Sequence, residues 1–99
     1  MNRDKLPDKR IYATILGRVQ GVGFRYFVYE YATRMDLKGW VRNTYNEQVI
    51  VTAEGPPDIL EKLLAKLRGG PRSSFVLNVS IEWQEATGEL SSFQIAATK

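Results

Sequence analysis

Apolar side chains alternate with other residues near the start of the chain and again over residues 77–83, which predicts β-strands with one buried face. The alternation over residues 77–83 is the clearest, and we expect Trp83 on that strand to fill the core. Glycine, proline and short polar segments separate these stretches from their neighbours. The predicted strands are residues 11–18, 37–43, 49–54 and 77–83, and residues 93–95 could add a short final strand.

Two other stretches carry apolar residues at helical spacing. The first predicts a helix over residues 24–35. The second predicts a helix that opens at residues 55–58, with proline in its first turn, and stops at Gly69 and Gly70. The second stripe consists of Leu60, Leu63, Leu64 and Leu67. The resulting order β-α-β-β-α-β, plus a short strand, predicts an α+β fold of the ferredoxin-like, split β-α-β type. Such a sandwich has an antiparallel sheet with two helices on one face.

The length of 99 residues predicts one domain with one core. Residues 1–9 are polar and contain Pro7, so we expect a flexible N-terminal arm there, followed by a single domain over residues 10–99. No apolar stretch approaches the length of a membrane span, and the N-terminus lacks the apolar segment of a secretory signal. We therefore expect a cytoplasmic protein.

The chain contains no cysteine and no histidine. Disulfides, thiolate catalysis and cysteine metal sites are excluded, and so is the usual general base near neutral pH. Any chemistry must use arginine, lysine, amides, carboxylates, hydroxyls or backbone N–H groups, and we expect no metal and no cofactor. The net charge of +3 suits an anionic small substrate as well as a nucleic acid.

The loop over residues 20–25 joins a predicted strand to the N-terminus of a predicted helix. Backbone N–H groups at a helix N-terminus lack intrahelical partners, and glycine lets the backbone curve around an oxyanion. Arg25 adds a planar pair of donors suited to phosphate. The loop is neither a P-loop, which needs Gly-Lys-Ser/Thr, nor a dinucleotide fingerprint. Two isolated glycines alone equally fit a tight connection that needs positive φ.

Asn43 ends the second predicted strand. In the split β-α-β plan the first and second strands are parallel with the third between them, so their carboxyl ends share one sheet edge. Asn43 then lies roughly 10 Å from the glycine loop, across two strand spacings. A long arginine and a short amide can share one anion over that gap, although an asparagine at a strand end can also simply begin a turn.

Together these segments resemble the acylphosphatase family. The resemblance covers residues 11–95 and rests on Gly17-Arg18-Val19-Gln20-Gly21-Val22-Gly23-Phe24-Arg25, Gly39-Trp40-Val41-Arg42-Asn43, Ala53-Glu54-Gly55-Pro56, Gly69-Gly70-Pro71 and Phe93-Gln94-Ile95. It implies hydrolysis of an acyl phosphate to a carboxylate and inorganic phosphate, by water attack on phosphorus and without a metal ion. No histidine is needed, because the leaving carboxylate has a pKa of about 4 and departs as an anion.

The resemblance also implies roles for individual residues. The phosphate-binding arginine of the family falls on Arg25 and its water-positioning asparagine on Asn43, both catalytic. Arg18 and Thr44 are close enough in sequence to tune the site. The family usually carries glycine where this chain has Asp36, and Asp-Gly where it has Asn46-Glu47. The phosphate-binding cradle falls on Gln20, Gly21, Val22, Gly23, Phe24 and Arg25.

Two alternatives remain at this stage. One is a non-catalytic phosphate- or nucleic-acid-binding ferredoxin-like module, although residues 48–54 lack the aromatic and basic pattern of RNA-recognition domains. The other is a carbamoyl-phosphate-handling domain excised from a larger hydrogenase-maturation protein. We expect a monomer whose partner is a small acyl phosphate, with phosphate or sulfate as a competing anion, and neither nucleic acid nor membrane. The residues leave acetyl phosphate, carbamoyl phosphate and 1,3-bisphosphoglycerate open as substrates.

Overall fold

The computed structural model of the protein describes residues 6–99. Residues 1–5 of the predicted arm lie outside the described residues, residues 6–8 have no regular secondary structure, and the first strand begins at Lys9. The division into an arm and a domain stays a prediction. The elements are β1 (Lys9–Arg18), α1 (Phe24–Arg34), β2 (Lys38–Asn43), β3 (Val49–Gly55), α2 (Pro57–Gly69), β4 (Phe75–Glu85) and β5 (Phe93–Ile95).

The five strands form one sheet in the order β4-β1-β3-β2-β5. Because β3 pairs antiparallel with both β1 and β2, those two strands run parallel, as the sequence predicts. The ferredoxin-like prediction is therefore confirmed. The final strand β5 is present, and it pairs parallel with β2, which makes the complete sheet mixed.

The two helices cover one face of this sheet. The α2 stripe packs inward as predicted, since all four of its leucines are buried, and the α1 core residues are Phe24, Val28 and Ala32. The same core cluster contains the inward side chains of β1, including Ile11 and Ile15, which are fully buried. Every residue of the central strand β3 is buried. No helix among residues 6–99 is long and apolar enough to cross a membrane.

The prediction that Trp83 fills the core is wrong, because 43% of the residue is exposed. β4 is an edge strand, and Trp83 lies near its end, where it shares a shallow surface depression with Leu6 and Pro57. Leu77 is 70% exposed. The register with β1 shifts between Leu16 and Gly17, which leaves Leu77 in a β-bulge that turns it outward. Alternation thus indicated the inward face over Val79 and Ile81, but it did not predict the bulge at Leu77 or how little of Trp83 is covered.

The two departures from the family pattern both adopt left-handed backbone conformations. Asp36 has φ 58° and Glu47 has φ 71°. After α1, the N–H of Asp36 donates to the Thr33 carbonyl and the N–H of Leu37 to the Ala32 carbonyl, which is a Schellman helix end. The backbone geometry that glycine favours is therefore kept without glycine, at a conformational cost.

Glu54 anchors the connection that carries the chain across the sheet from β4 to β5. Its carboxylate is buried and accepts hydrogen bonds from the Thr87 N–H at 2.9 Å, the Thr87 hydroxyl at 3.1 Å and the Gly88 N–H at 3.1 Å. The Nε of Arg10 lies 3.1 Å from the same carboxylate. Burial raises the pKa of Glu54. The hydrogen bonds from Thr87 and Gly88, with the nearby Arg10 guanidinium, outweigh burial and hold that pKa below its usual value.

Candidate active site

The carboxyl ends of β1 and β2 meet at one edge of the sheet. In the paired register Val49 of β3 lies between Ile15 and Asn43, so Asn43 sits on the helix-covered face two strands from β1. The segment 19–23 leaves β1 at this edge and runs into α1. The fold therefore brings the glycine loop and Asn43 together, as the parallel arrangement predicts.

The glycines of the loop both adopt left-handed conformations, with φ 73° at Gly21 and φ 80° at Gly23. A Cβ atom added at either position would meet no atom of residues 6–99 within 4 Å, so backbone conformation rather than space favours glycine here. Gly23 caps α1 and offers no side-chain hydrogen bond, and the first helical bond runs from the Phe27 N–H to the Gly23 carbonyl at 3.0 Å. The N–H groups at the start of the helix are thus left for a ligand.

Arg25 and Asn43 line the same cavity of about 250 Å³. Within residues 6–99 Arg25 forms no ion pair, and the buried Oδ1 atom of Asn43 has no hydrogen-bond partner. Of the described residues around the cavity, Arg25 alone is charged. The lining consists of Val19, Gly21, Gly23, Phe24, Arg25, Tyr26, Asn43 and Ile95. This arrangement offers donors and one positive charge to an anion, beside a free acceptor.

Gln20 lies in the loop but outside the cavity lining. Its side-chain Nε2 donates to the carbonyls of Thr44 and Gln48, both at 2.8 Å. Thr44 is buried, and its hydroxyl accepts a hydrogen bond from the Gln48 N–H at 3.0 Å. Gln20 therefore ties the loop to the β2–β3 hairpin and fixes its position relative to Asn43. The sequence named Gln20 as a site residue and did not reveal this contact.

The other predicted site residues divide between cavity and periphery. Val22 packs against the edge of the core, and Arg18 is an exposed residue opposite Phe75 on β4. Neither lines the cavity. The sequence reasoning did not name three of the lining residues as site residues: Val19, Tyr26 and Ile95. Tyr26 follows Arg25 directly, whereas Ile95 reaches the site because β5 pairs in parallel with β2, opposite Val41.

The residues that the structure describes contain no group of three or more acidic, histidine or cysteine side chains arranged to hold a metal ion. The described residues that line the cavity include no carboxylate to repel an anion. The site can therefore hold an oxyanion between backbone N–H groups and the Arg25 guanidinium. Next to that position, the side-chain oxygen of Asn43 can accept a hydrogen bond.

A family model, a curated relative and a solved structure that are similar to this chain all carry the name acylphosphatase. The family model described as Acylphosphatase matches residues 11–95. The chain is 44% identical over 88 residues to a protein named acylphosphatase from Salinibacter ruber. This alignment covers 89% of this chain and 93% of the relative. The crystal structure of acylphosphatase from Bacillus subtilis superposes with a TM-score of 0.86 at 34% identity, covering 89% of this chain and 98% of that one.

A longer protein contains a similar unit. Full-length HypF, solved in a phosphate- and nucleotide-bound form, superposes with a TM-score of 0.85 at 28% identity. The match covers 97% of this chain and 13% of that chain. A similar fold thus occurs both in small proteins and as a small part of a large one.

Proposed function

The chain belongs to the acylphosphatase family and hydrolyses acyl phosphates, and from that premise we propose that Arg25 binds the phosphoryl group and Asn43 positions the attacking water. The observation that supports this proposal is that the buried Oδ1 of Asn43, in the same cavity as Arg25, has no hydrogen-bond partner in the described part of the chain. A buried polar atom without a partner costs free energy, about 1–3 kcal/mol. A water or substrate that satisfies this atom removes that cost.

Binding uses the loop and the start of α1. The phosphoryl oxygens accept hydrogen bonds from backbone N–H groups in the cradle, residues 20–25, and from the Arg25 guanidinium. The helix dipole places partial positive charge at the same point. The side chains of Gln20 and Val22 are not expected to contact the phosphoryl group, because that of Gln20 is engaged with the hairpin and that of Val22 packs against the core.

The Oδ1 of Asn43 positions the water molecule that attacks phosphorus. A water molecule donates a hydrogen bond to the Oδ1 of Asn43. Its oxygen forms a bond to phosphorus while the bond from phosphorus to the acyl oxygen breaks. The electron pair leaves on the carboxylate, and the proton of the attacking water passes to a phosphoryl oxygen of the substrate. Because the transition state is loose, the water needs little deprotonation, and no metal or general base is required.

The charge that develops is stabilised by groups already in position. Arg25 and the cradle N–H groups face the equatorial oxygens of the transferring group, in a site that needs no rearrangement during the reaction. Arg18 is exposed and acts at most through its charge, whereas Thr44 acts through the hairpin that carries Asn43. We further propose that the protein is monomeric and cytoplasmic, and that phosphate or sulfate competes with the substrate.

The decisive experiment is steady-state hydrolysis of benzoyl phosphate in EDTA. We expect turnover by the parent, a loss of about a thousandfold in Arg25→Ala and of about a hundredfold in Asn43→Ala. Arg68→Ala and Asn78→Ala, exposed residues away from the cavity, serve as matched controls that keep full activity. Inorganic phosphate inhibits the parent competitively, and light scattering gives the mass of a single chain.

Two outcomes would contradict the assignment of roles. Full activity in a folded Arg25→Ala or Asn43→Ala variant would remove that residue from the mechanism. Loss of the parent's turnover in EDTA, restored by a divalent cation, would contradict a metal-independent reaction. A folded parent without any turnover would favour a module that only binds phosphate.

A further inference from the structure

The cavity of the candidate site adjoins a second depression along the protein surface. This groove of about 510 Å³ lies between α1 and β5, with Tyr29, Thr33 and Phe93 among its lining residues. Ile95 lines both the cavity and the groove. The space next to Arg25 therefore continues beyond the room that a phosphoryl group needs.

Tyrosine side chains of α1 connect the two spaces from the helix side. Tyr26 lines the cavity and Tyr29 lines the groove, and their rings stack with centroids 6.2 Å apart and planes inclined by 27°. Tyr26 is 59% exposed and Ile95 is 43% exposed. We call Tyr26, Tyr29 and Ile95 the bridging residues, because together they run from the cavity into the groove.

The core does not account for this exposure. The buried stripe of α1 is formed by Phe24, Val28 and Ala32, and the buried residue of β5 is Phe93. Tyr26 and Ile95 add little to that packing, yet they place apolar surface directly beside a charged site. Apolar surface that borders a binding cavity indicates contact with an apolar part of a ligand.

We propose that the bridging residues bind the acyl group, and that this enzyme prefers acyl phosphates with an aromatic or extended apolar acyl group over small or additionally charged ones. The inference rests on the proposed function, because it needs the phosphoryl group to occupy the cradle at Arg25. The acyl group is then directed along Tyr26 and Ile95 toward the groove. The methyl group of acetyl phosphate is too small to span the two spaces.

Charge supports the same preference. The bridging residues are uncharged, and the faces of tyrosine rings are negative, so an additional phosphate or carboxylate on the acyl group is disfavoured there. The charged residues of the groove, Asp36 and Lys38, form an exposed ion pair with each other at 3.7 Å. The groove thus offers no free cation to an anionic acyl group among its described lining residues.

The test compares kcat/KM for benzoyl phosphate and acetyl phosphate in the parent and in Tyr26→Ala, Ile95→Ala and Tyr26→Phe. We expect each alanine variant to lose about tenfold with benzoyl phosphate and less than about twofold with acetyl phosphate, as for the removal of apolar contacts in a pocket. Tyr26→Phe keeps the preference, because it keeps the ring. The control is Tyr45→Ala, a tyrosine that is 83% exposed and lines neither space.

A binding measurement separates this inference from the reaction itself. Phenylphosphonate and methylphosphonate cannot release a carboxylate, so calorimetry with both reports acyl-side contacts without turnover. We expect the parent to bind phenylphosphonate more tightly, and the alanine variants to lose that preference. Equal losses with both substrates and both phosphonates, or no loss at all, would overturn the role of the bridging residues. Absent turnover with a retained phosphonate preference would contradict the proposed function and leave the apolar contact supported.

Discussion

Two buried polar groups with opposite hydrogen-bonding status lie at the two ends of strand β3: Asn43 of the neighbouring strand β2 and Glu54 of β3 itself. Near Val49, the Oδ1 of Asn43 is buried without a hydrogen-bond partner among residues 6–99. At the other end, Glu54 accepts three hydrogen bonds from Thr87 and Gly88 and lies beside Arg10. Both groups were part of the same family resemblance in the sequence. Their surroundings separate a group that stabilises the fold from a group that is available to a ligand.

The difference follows from the cost of burying polar atoms. A buried group with full hydrogen bonding holds its neighbours in place, whereas an unpartnered one is tolerated where a ligand or water completes it. The Glu54 end fixes the connection to β5, and β5 brings Ile95 to the other end. The end of β3 at which Glu54 is fully hydrogen-bonded thus helps to position the residues of the candidate site at the other end.

The largest effect tests this division at the site. Arg25→Ala lowers kcat/KM by about a thousandfold, while the free energy of unfolding in urea stays within about 0.5 kcal/mol of the parent, as for an unpaired surface group. Asn43→Ala lowers activity and leaves stability equal or higher, because it removes an unpartnered polar atom. A loss of stability comparable to the loss of transition-state stabilisation in either variant would break the comparison.

The opposite result is expected at the other end. Glu54→Gln removes the charge from a buried, hydrogen-bonded carboxylate and leaves Arg10 without its counter-ion, so we expect a loss of about 3 kcal/mol in unfolding free energy. The folded fraction keeps the parent's kcat/KM. Glu82→Gln, an exposed glutamate on β4, is the matched control and changes neither quantity. A large fall in kcat/KM for folded Glu54→Gln would mean that the two ends are directly coupled.

Acid titration removes the same charge without a mutation. Because the folded pKa of Glu54 is depressed, its contribution is fully present above the unfolded pKa of about 4.3 and is lost as the pH falls through the folded value. Urea midpoints measured between neutral pH and the acid limit therefore fall more in the parent than in Glu54→Gln. Parallel pH profiles of the two proteins would exclude Glu54 as a source of the acid sensitivity.

Gln20 is an intermediate case, because it lies beside the candidate site but its side-chain Nε2 has hydrogen-bond partners. Gln20→Ala removes two hydrogen bonds to the hairpin, and we expect a loss of about 1–2 kcal/mol in unfolding free energy. Activity falls as well, by less than in Asn43→Ala, since the cradle is no longer held against Thr44. Gln84→Ala, on β4, is the comparison. Unchanged activity would show that the loop needs no attachment.

The smallest expected effect concerns backbone conformation at two residues that belong to neither group, Asp36 and Glu47. Asp36→Gly and Glu47→Gly each relieve a left-handed non-glycine residue, and we expect a gain of about 1 kcal/mol each. Asp36→Ala is the matched control: it also removes the exposed contact with Lys38 but cannot relieve the backbone, so it gives no gain. A gain in Asp36→Ala as large as in Asp36→Gly would show that charge, not conformation, sets the stability there.

The sequence by itself determined the order of the elements, because each one has a local period. The leucine stripe of α2 and the alternation in β1 indicate the buried faces directly. It also located the loop before α1 and Asn43 at one sheet edge, since chain order and the parallel relation of β1 and β2 require that. The choice of Arg25 and Asn43 needed the family resemblance in addition, since loop and turn residues alone allow structural explanations.

Tertiary structure alone decided what depends on distant neighbours. Trp83 has the right face but too little cover at a sheet edge, and Leu77 is turned out by a bulge in its pairing with β1. Gln20 binds the hairpin, and Ile95 enters the cavity, because separate parts of the chain meet there. A local pattern records which side of an element faces inward. How deeply that side is covered, and which polar atoms lack partners, is set by contacts between residues far apart in sequence.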